Sequence, residues 1–188
     1  MRKIPKELEN FIDNIVIDTA DLFVKPLKKF NFTPNELTTI SLIMGISAAY
    51  FLYIGETKKA SFLFMSAYLF DCIDGHYART MNMCTVFGDY YDHFSDMFKY
   101  LLILYVLYIK YNDIFKKYIY VILIASGLSF VHLGCQEIYY GKDHSISLSI
   151  FKGLCPNNNN NIISILNLTK YFGVGSLMML ISTIIYRL

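Results

Sequence analysis

The sequence predicts an all-α integral membrane bundle, with an N-terminal interfacial amphipathic helix followed by five to six transmembrane helices. Three observations carry that expectation. Of 188 residues, 55% are hydrophobic and 17% charged, with a mean hydropathy of +0.39. That is more apolar surface than a soluble domain of this length needs. Several apolar runs are long enough to cross a bilayer of about 30 Å. Finally, four carboxylates, Asp71, Asp74, Asp92 and Asp96, lie inside or against such runs, where ionisable groups are costly and mark function.

Taken in order, residues 5–30 place Leu8, Phe11, Ile12, Ile15, Val16, Leu22, Phe23 and Leu27 at helical period among charged positions. The pattern predicts an amphipathic helix on the membrane surface, although a helix packed on the bundle would show it too. Arg2, Lys3, Lys6, Lys25, Lys28 and Lys29 suit an anionic cytoplasmic surface. The first apolar stretch comes late and carries Asp13, Asp18 and Asp21, so no cleavable signal peptide is expected. Pro34 opens the next helix, with Thr33 or Asn35 as its cap. Spans are expected at residues 37–54, 60–78, 88–109, 118–139 and 162–186, the last interrupted by Lys170 and Gly173. Residues 79–86 and 110–117 read as polar connectors. Residues 144–155 are too short to cross and read as interfacial or a half-span. Residues 157–161, after Pro156, read as a disordered asparagine loop. The natural division is residues 1–32, the interfacial helix, and 33–188, the transmembrane domain.

Lysine and arginine placement favours an N-terminus and an acidic cluster on the cytoplasmic face. A net charge of +2 gives no signal for nucleic acid. Cys72, Cys84, Cys135 and Cys155 show neither CxxC nor metal-ligand spacing, and no chemistry is assigned to them. Cys72 reads as a buried helical thiol. His76 and His93 fall within the acidic stretch, where each could lie near phosphate or fill a wet cavity. His132 and His144 carry no pattern, and the sequon at Asn167 reads as chance.

The acidic stretch, residues 71–96, carries the chemistry. At about 100° per residue, Asp71, Asp74, Gly75 and Ala78 share one helix face, and Gly88, Asp92 and Asp96 share another. Antiparallel connectivity puts both carboxylate pairs at one membrane depth. All-oxygen ligands suit one or two Mg²⁺ or Mn²⁺ ions, and without metal mutual repulsion would force protonation. Arg79 is placed to pair with phosphate in a bidentate way, and Gly75, Ala78 and Gly88 leave room for a bulky ligand. The set fits phosphoryl transfer on a metal-held diphosphate. A cation or proton pathway would use the acids but needs neither the arginine nor the glycines. A purely structural network would be poorly compensated.

The run Asp71-x-x-Asp74-Gly75-x-x-Ala78-Arg79, eight residues, then Gly88-x-x-x-Asp92-x-x-x-Asp96 resembles the signature of the CDP-alcohol phosphotransferases. The resemblance covers residues 30–140 closely and the remainder loosely. It implies that Asp71, Asp74 and Asp92 ligate one metal ion and Asp71, Asp92 and Asp96 a second, with Asp96 as general base. It also implies that Gly75, Arg79 and Thr85 contact the nucleotide and its phosphates, with Ala78 and Gly88 giving clearance. Pro34 and Asn35 are weaker nucleotide candidates, because a helix cap accounts for them. The implied reaction moves a phosphatidyl group from CDP-diacylglycerol to a polar alcohol at a membrane lipid surface and releases CMP. Asp74-Gly75-His76 with Thr85-x-Phe87-Gly88 is similar to phosphatidylinositol synthases, which makes inositol the leading acceptor. Asp92-His93 echoes the choline and ethanolamine branch, the alternative. Lys142, Lys152 and Lys170 would meet an acceptor phosphate or serve as loop lysines. The resemblance also implies a six-span homodimer, from which five clear spans depart. A catalytically silent scaffold and a cation pathway are the non-enzyme alternatives.

Overall fold

Helix boundaries here follow from a few capping groups. The computed structural model describes residues 2–141, 145–156 and 161–188. The expectations for Lys142, His144 and residues 157–160 lie outside the described residues. Asn10 opens α1 (Phe11–Lys29), its side chain accepting from the Ile12 and Asp13 amides. The helix therefore begins after Asn10 and not near Pro5. The residues before it fold back, burying Ile4 and Leu8 with Leu166 and the Cys135–Cys155 pair. One face of α1 buries Val16, Ala20 and Val24. The other turns Phe11, Ile15 and Leu22 outward, where a surface helix would meet lipid.

A capping box between Thr33 and Glu36, with Pro34 in the first turn, starts α2 (Pro34–Tyr53). Helix α3 (Thr57–Thr80) packs back along α2 through Ala48, Ala49 and Leu52 against Ala60 and Phe64. It continues to Thr80, so only residues 81–85 connect it to α4 (Val86–Lys110). Between α4 and α5 (Asn112–Tyr140) a single residue, Tyr111, is non-helical, where a longer polar turn was expected. Its backbone breaks the helix, and its hydroxyl donates to the Leu52 carbonyl at 3.2 Å. Lys116 and Lys117 consequently belong to α5.

Gly141, with φ of 64°, ends α5 in the left-handed region. The following 3₁₀ segment, Ser147–Leu154, is not a span. It doubles back on α5 at Gly134, where any Cβ would collide with the Phe151 carbonyl. A Cys135–Cys155 disulfide, 20 residues apart in sequence, fastens it there. Cys72 is free and half-buried, and Cys84 free and exposed.

The last span is broken as its sequence suggests: α6 (Ile162–Thr169), a 3₁₀ turn over Lys170–Phe172, Gly173, then α7 (Val174–Tyr186). The N-terminal segment fills the break. Asn10 donates to the Lys170 carbonyl at 2.5 Å and Ser176 Oγ at 2.8 Å, and Lys170 donates to the Glu7 carbonyl at 2.8 Å. A side chain at Gly173 would meet Asn10 Cβ at 2.6 Å, so the glycine sets the closeness of α1.

No strand occurs among the described residues, and the chain is an all-α membrane bundle. Pro34–Tyr53, Asn112–Tyr140 and Ile162–Tyr186 are long and apolar enough to cross a membrane. Helices α3 and α4, at 24 and 25 residues, match them in length but carry the acidic cluster.

Asp13 is buried where α1 meets α3 and α7, accepting from the Tyr68 hydroxyl and the Gly175 amide. Burial, then repulsion from Glu9, pushes its carboxyl up to about 7 despite these bonds. The folded protein thus keeps a proton that the unfolded chain releases near 4, so stability falls as pH rises from about 4 to about 7. A shift of this size corresponds to about 4 kcal/mol. Asp13→Asn keeps an acceptor for Tyr68 and removes the titration. Thermal melts of the detergent-solubilised protein should show a higher Tm for the variant at pH 8 and a flatter profile between pH 4 and 7. Parallel profiles would exclude Asp13 as their source.

Candidate active site

The acidic cluster forms because α2 packs against both α3 and α4. One side of α2 carries Thr38, Ser41 and Gly45, spaced three and four residues apart. Small polar groups there meet an acid of α3 and a lysine of α4. Thr38 donates to Asp74 Oδ2 at 2.6 Å. One carboxylate oxygen from each of Asp71, Asp74 and Asp92 lies within 4.8 Å of the others. Asp92 Oδ1 is buried with no hydrogen-bond partner among the described residues. An orphaned anionic oxygen beside two further carboxylates is what a hard divalent cation corrects. The donor set fits Mg²⁺ or Mn²⁺.

Asp96 is not one of these three but lies within side-chain hydrogen-bond reach of Asp71. Its Oδ1 is ion-paired at 2.7 Å with Lys99, whose ammonium also meets Asp71 Oδ1 at 3.1 Å and Ser41 Oγ at 2.6 Å. The sequence reading missed Lys99, since it falls in an apolar run taken as membrane span. Thr38 and Ser41 were missed for the same reason.

A cavity opens beside the cluster. Asp74, Gly75, Ala78, Arg79, Thr85, Gly88 and Asp92 line it, with Pro34 and Asn35 from α2. All the sequence-predicted nucleotide candidates therefore share one cavity. Asp96 instead faces a smaller apolar pocket formed with Lys99, Phe64 and Val174. The Arg79 guanidinium lies over Gly75, where a Cβ would meet Nη1 at 3.2 Å. Gly88 is similarly close to Thr85 Oγ1 and Asn35 Oδ1, at 3.0 and 3.1 Å from an added Cβ. Thr85 also caps α4, accepting from the Gly88 amide at 3.0 Å.

The far wall comes from residues outside the defined positions of the signature. Lys3 reaches in from the N-terminus and pairs with Glu137 of α5 at 2.6 Å. Beside them are Tyr140, Ser145, Asp89 and His93. Asp89 Oδ2 accepts from the amide and hydroxyl of Ser147 at 2.9 and 2.8 Å, and His93 Nδ1 lies 2.8 Å from the same hydroxyl. His76 points elsewhere, pairing with Asp21 of α1 at 2.6 Å. His132 lies in a structural network with Thr169 and Gln136. Neither Lys152 nor Lys170 lines the cavity.

This arrangement of acids, arginine and small residues agrees with a family match across residues 31–185, to the CDP-alcohol phosphatidyltransferase model. The chain belongs to the CDP-alcohol phosphatidyltransferase family. It is also similar to an uncharacterised protein of Aquifex aeolicus (strain VF5), at 35% identity over 98 residues. That match takes in 52% of this chain and 48% of the relative, so the chain spans about half the length of that protein. No solved structure matches the chain. Helix α2 packs against both helices that carry the signature, and its Thr38 bonds a carboxylate of the metal-fitting set. Thr38→Val should leave Asp74 misaligned and weaken Mn²⁺ binding about tenfold or more, measured by titration of the purified protein. Unchanged affinity would show that Thr38 only packs.

Proposed function

We propose that this phosphatidyltransferase moves the phosphatidyl group of CDP-diacylglycerol to a polar alcohol, inositol foremost, and releases CMP in phospholipid synthesis. The observation that carries the reading is the shared cavity, in which Arg79 and the nucleotide candidates adjoin Asp74 and Asp92. Asp71, Asp74 and Asp92 would hold a divalent ion, which when bound supplies positive charge to diphosphate oxygens. Arg79 binds a phosphate oxygen pair and offsets charge developing at phosphorus. Gly75, Ala78 and Gly88 let the nucleotide approach the backbone, with Thr85, Asn35 and Pro34 at its edge.

The family resemblance supports Asp96, which lies outside this cavity and is ion-paired with Lys99, as the group that would take the proton of the acceptor hydroxyl. The resulting oxygen forms a bond to the lipid-bearing phosphorus while the bond from that phosphorus to the CMP oxygen breaks, and CMP leaves with the electron pair. The far wall of Glu137, Asp89, Tyr140, Ser145 and His93 offers hydrogen bonds to several hydroxyls. Lys3, the one lysine of that wall among the described residues, is already paired with Glu137, which supports an uncharged polyol over a phosphorylated acceptor.

The lysine distribution supports a site facing the cytoplasm, and the family resemblance supports a homodimer. The Cys135–Cys155 bond packs against the N-terminal segment at the site's end of the bundle, and disulfides persist in oxidising compartments. Cysteine labelling of Cys84 in sealed vesicles decides the orientation.

Purified protein with Mg²⁺ or Mn²⁺ should release CMP from CDP-diacylglycerol with inositol, more than with serine, glycerol 3-phosphate or inositol phosphate. Asp96→Asn should lower the rate about a hundredfold or more. Arg79→Lys should lower it about tenfold, since lysine lacks the planar fork. CMP release only from CDP-choline or CDP-ethanolamine with diacylglycerol would move the assignment to that branch. Silence with every donor from folded protein, together with metal-dependent flux in liposomes, would replace the enzyme with a cation pathway.

A further inference from the structure

We propose that the Lys99 ammonium takes the place of a second metal ion, so that this chain binds one divalent cation, at Asp71, Asp74 and Asp92. The inference rests on the metal-dependent reading above and deepens it.

A second ion would share Asp71 and Asp96, and that position is filled. An ammonium has three donors, and those of Lys99 have three acceptors: Ser41 Oγ at 2.6 Å, Asp96 Oδ1 at 2.7 Å and Asp71 Oδ1 at 3.1 Å. The lysine is built in and not merely folded across a vacant space. It is 5% exposed, and its stem runs along a groove in α2 that exists because residue 45 is glycine. A Cβ there would lie 2.5 Å from Lys99 Cγ and 2.6 Å from Cδ. Ser41, one turn before Gly45, supplies the acceptor at the end of that groove. Asp96 and Lys99, three residues apart, lie on one face of α4.

In the adjoining pocket, lined mainly by Phe64, Ala67, Tyr68, Tyr100 and Met178, the ammonium would keep Asp96 but lose Asp71 and Ser41, at a desolvation cost. A divalent ion entering between Asp71 and Asp96 would instead face a fixed positive charge within bonding distance of both ligands. Lys99 is thus a positioning residue. It holds the Asp96 carboxylate toward the cluster and supplies a positive charge there. It offers no open coordination position, so the diphosphate would be held by a single ion and Arg79.

The number of Mn²⁺ ions bound per chain, measured by electron paramagnetic resonance and calorimetry on the full-length protein in detergent, tests this directly. Wild type should bind one ion. Lys99→Met, which keeps an unbranched stem against Gly45, should bind two, and Lys99→Arg should stay at one. Adding Asp96→Asn to Lys99→Met should return the count to one, an outcome that a packing role would not produce. Two ions on wild type would overturn the inference and leave the enzyme reading intact, as would one ion on a folded Lys99→Met. No ion on folded wild type would overturn the metal-dependent reading on which it rests. The wild-type count is decisive even if Lys99→Met fails to fold.

Discussion

Carboxylates packed inside an apolar bundle must each find a compensating group, and that constraint organises this protein. Asp13 has the Tyr68 hydroxyl, Asp74 has Thr38, Glu137 has Lys3, and Asp71 and Asp96 share Lys99. Asp92 is different: one of its oxygens has no partner among the described residues. Its neighbours Asp71 and Asp74 have partners but leave an oxygen facing it, and a missing partner in such an oxygen set is the requirement a divalent cation would meet.

Helix α2 makes this arrangement possible. It contributes no acid and no base, yet it packs against both helices of the signature and lends small groups to each. Replacing the α2 positions by large apolar residues would suit a simple membrane span but would close the groove for the Lys99 stem and strand Asp74. The same logic applies at the other side of the bundle. Gly173 and Gly175 let Asn10 and Asp13 approach α7, which docks the N-terminal segment. That docking delivers Lys3 to the cavity, so local packing of α1 reaches the proposed acceptor wall.

Family membership and individual features answer separate questions. Membership follows from the match over residues 31–185 and concerns the shared acids, arginine and glycines. The features of this chain that the signature does not contain are the Lys99–Gly45 pair, the disulfide that presses the 3₁₀ segment against α5, and the wall from Lys3 to His93. These are the places where acceptor choice and metal count would be set, since they surround the shared chemistry without belonging to it.

The acidic site was legible in the sequence because its elements are local. A period of 3.6 residues put Asp71 with Asp74 and Asp92 with Asp96 on single faces, and the short connection between the two helices brought those faces to one end. Helix α1 was legible as an amphipathic period, although its start was not, because the Asn10 cap competes with the continuing pattern. Tertiary structure alone decided the rest. Lys99 reads as one charge in an apolar run until Ser41, Asp71 and Asp96 converge on it from three helices. Cys135 and Cys155 have no motif spacing, and pair because residues 145–155 double back at a glycine. Glu137 and Lys3, 134 residues apart, meet because the N-terminus fills the break before α7. Periodicity records which side chains share a face; which faces meet depends on close approach and charge compensation between distant segments, and those are properties of the packed bundle.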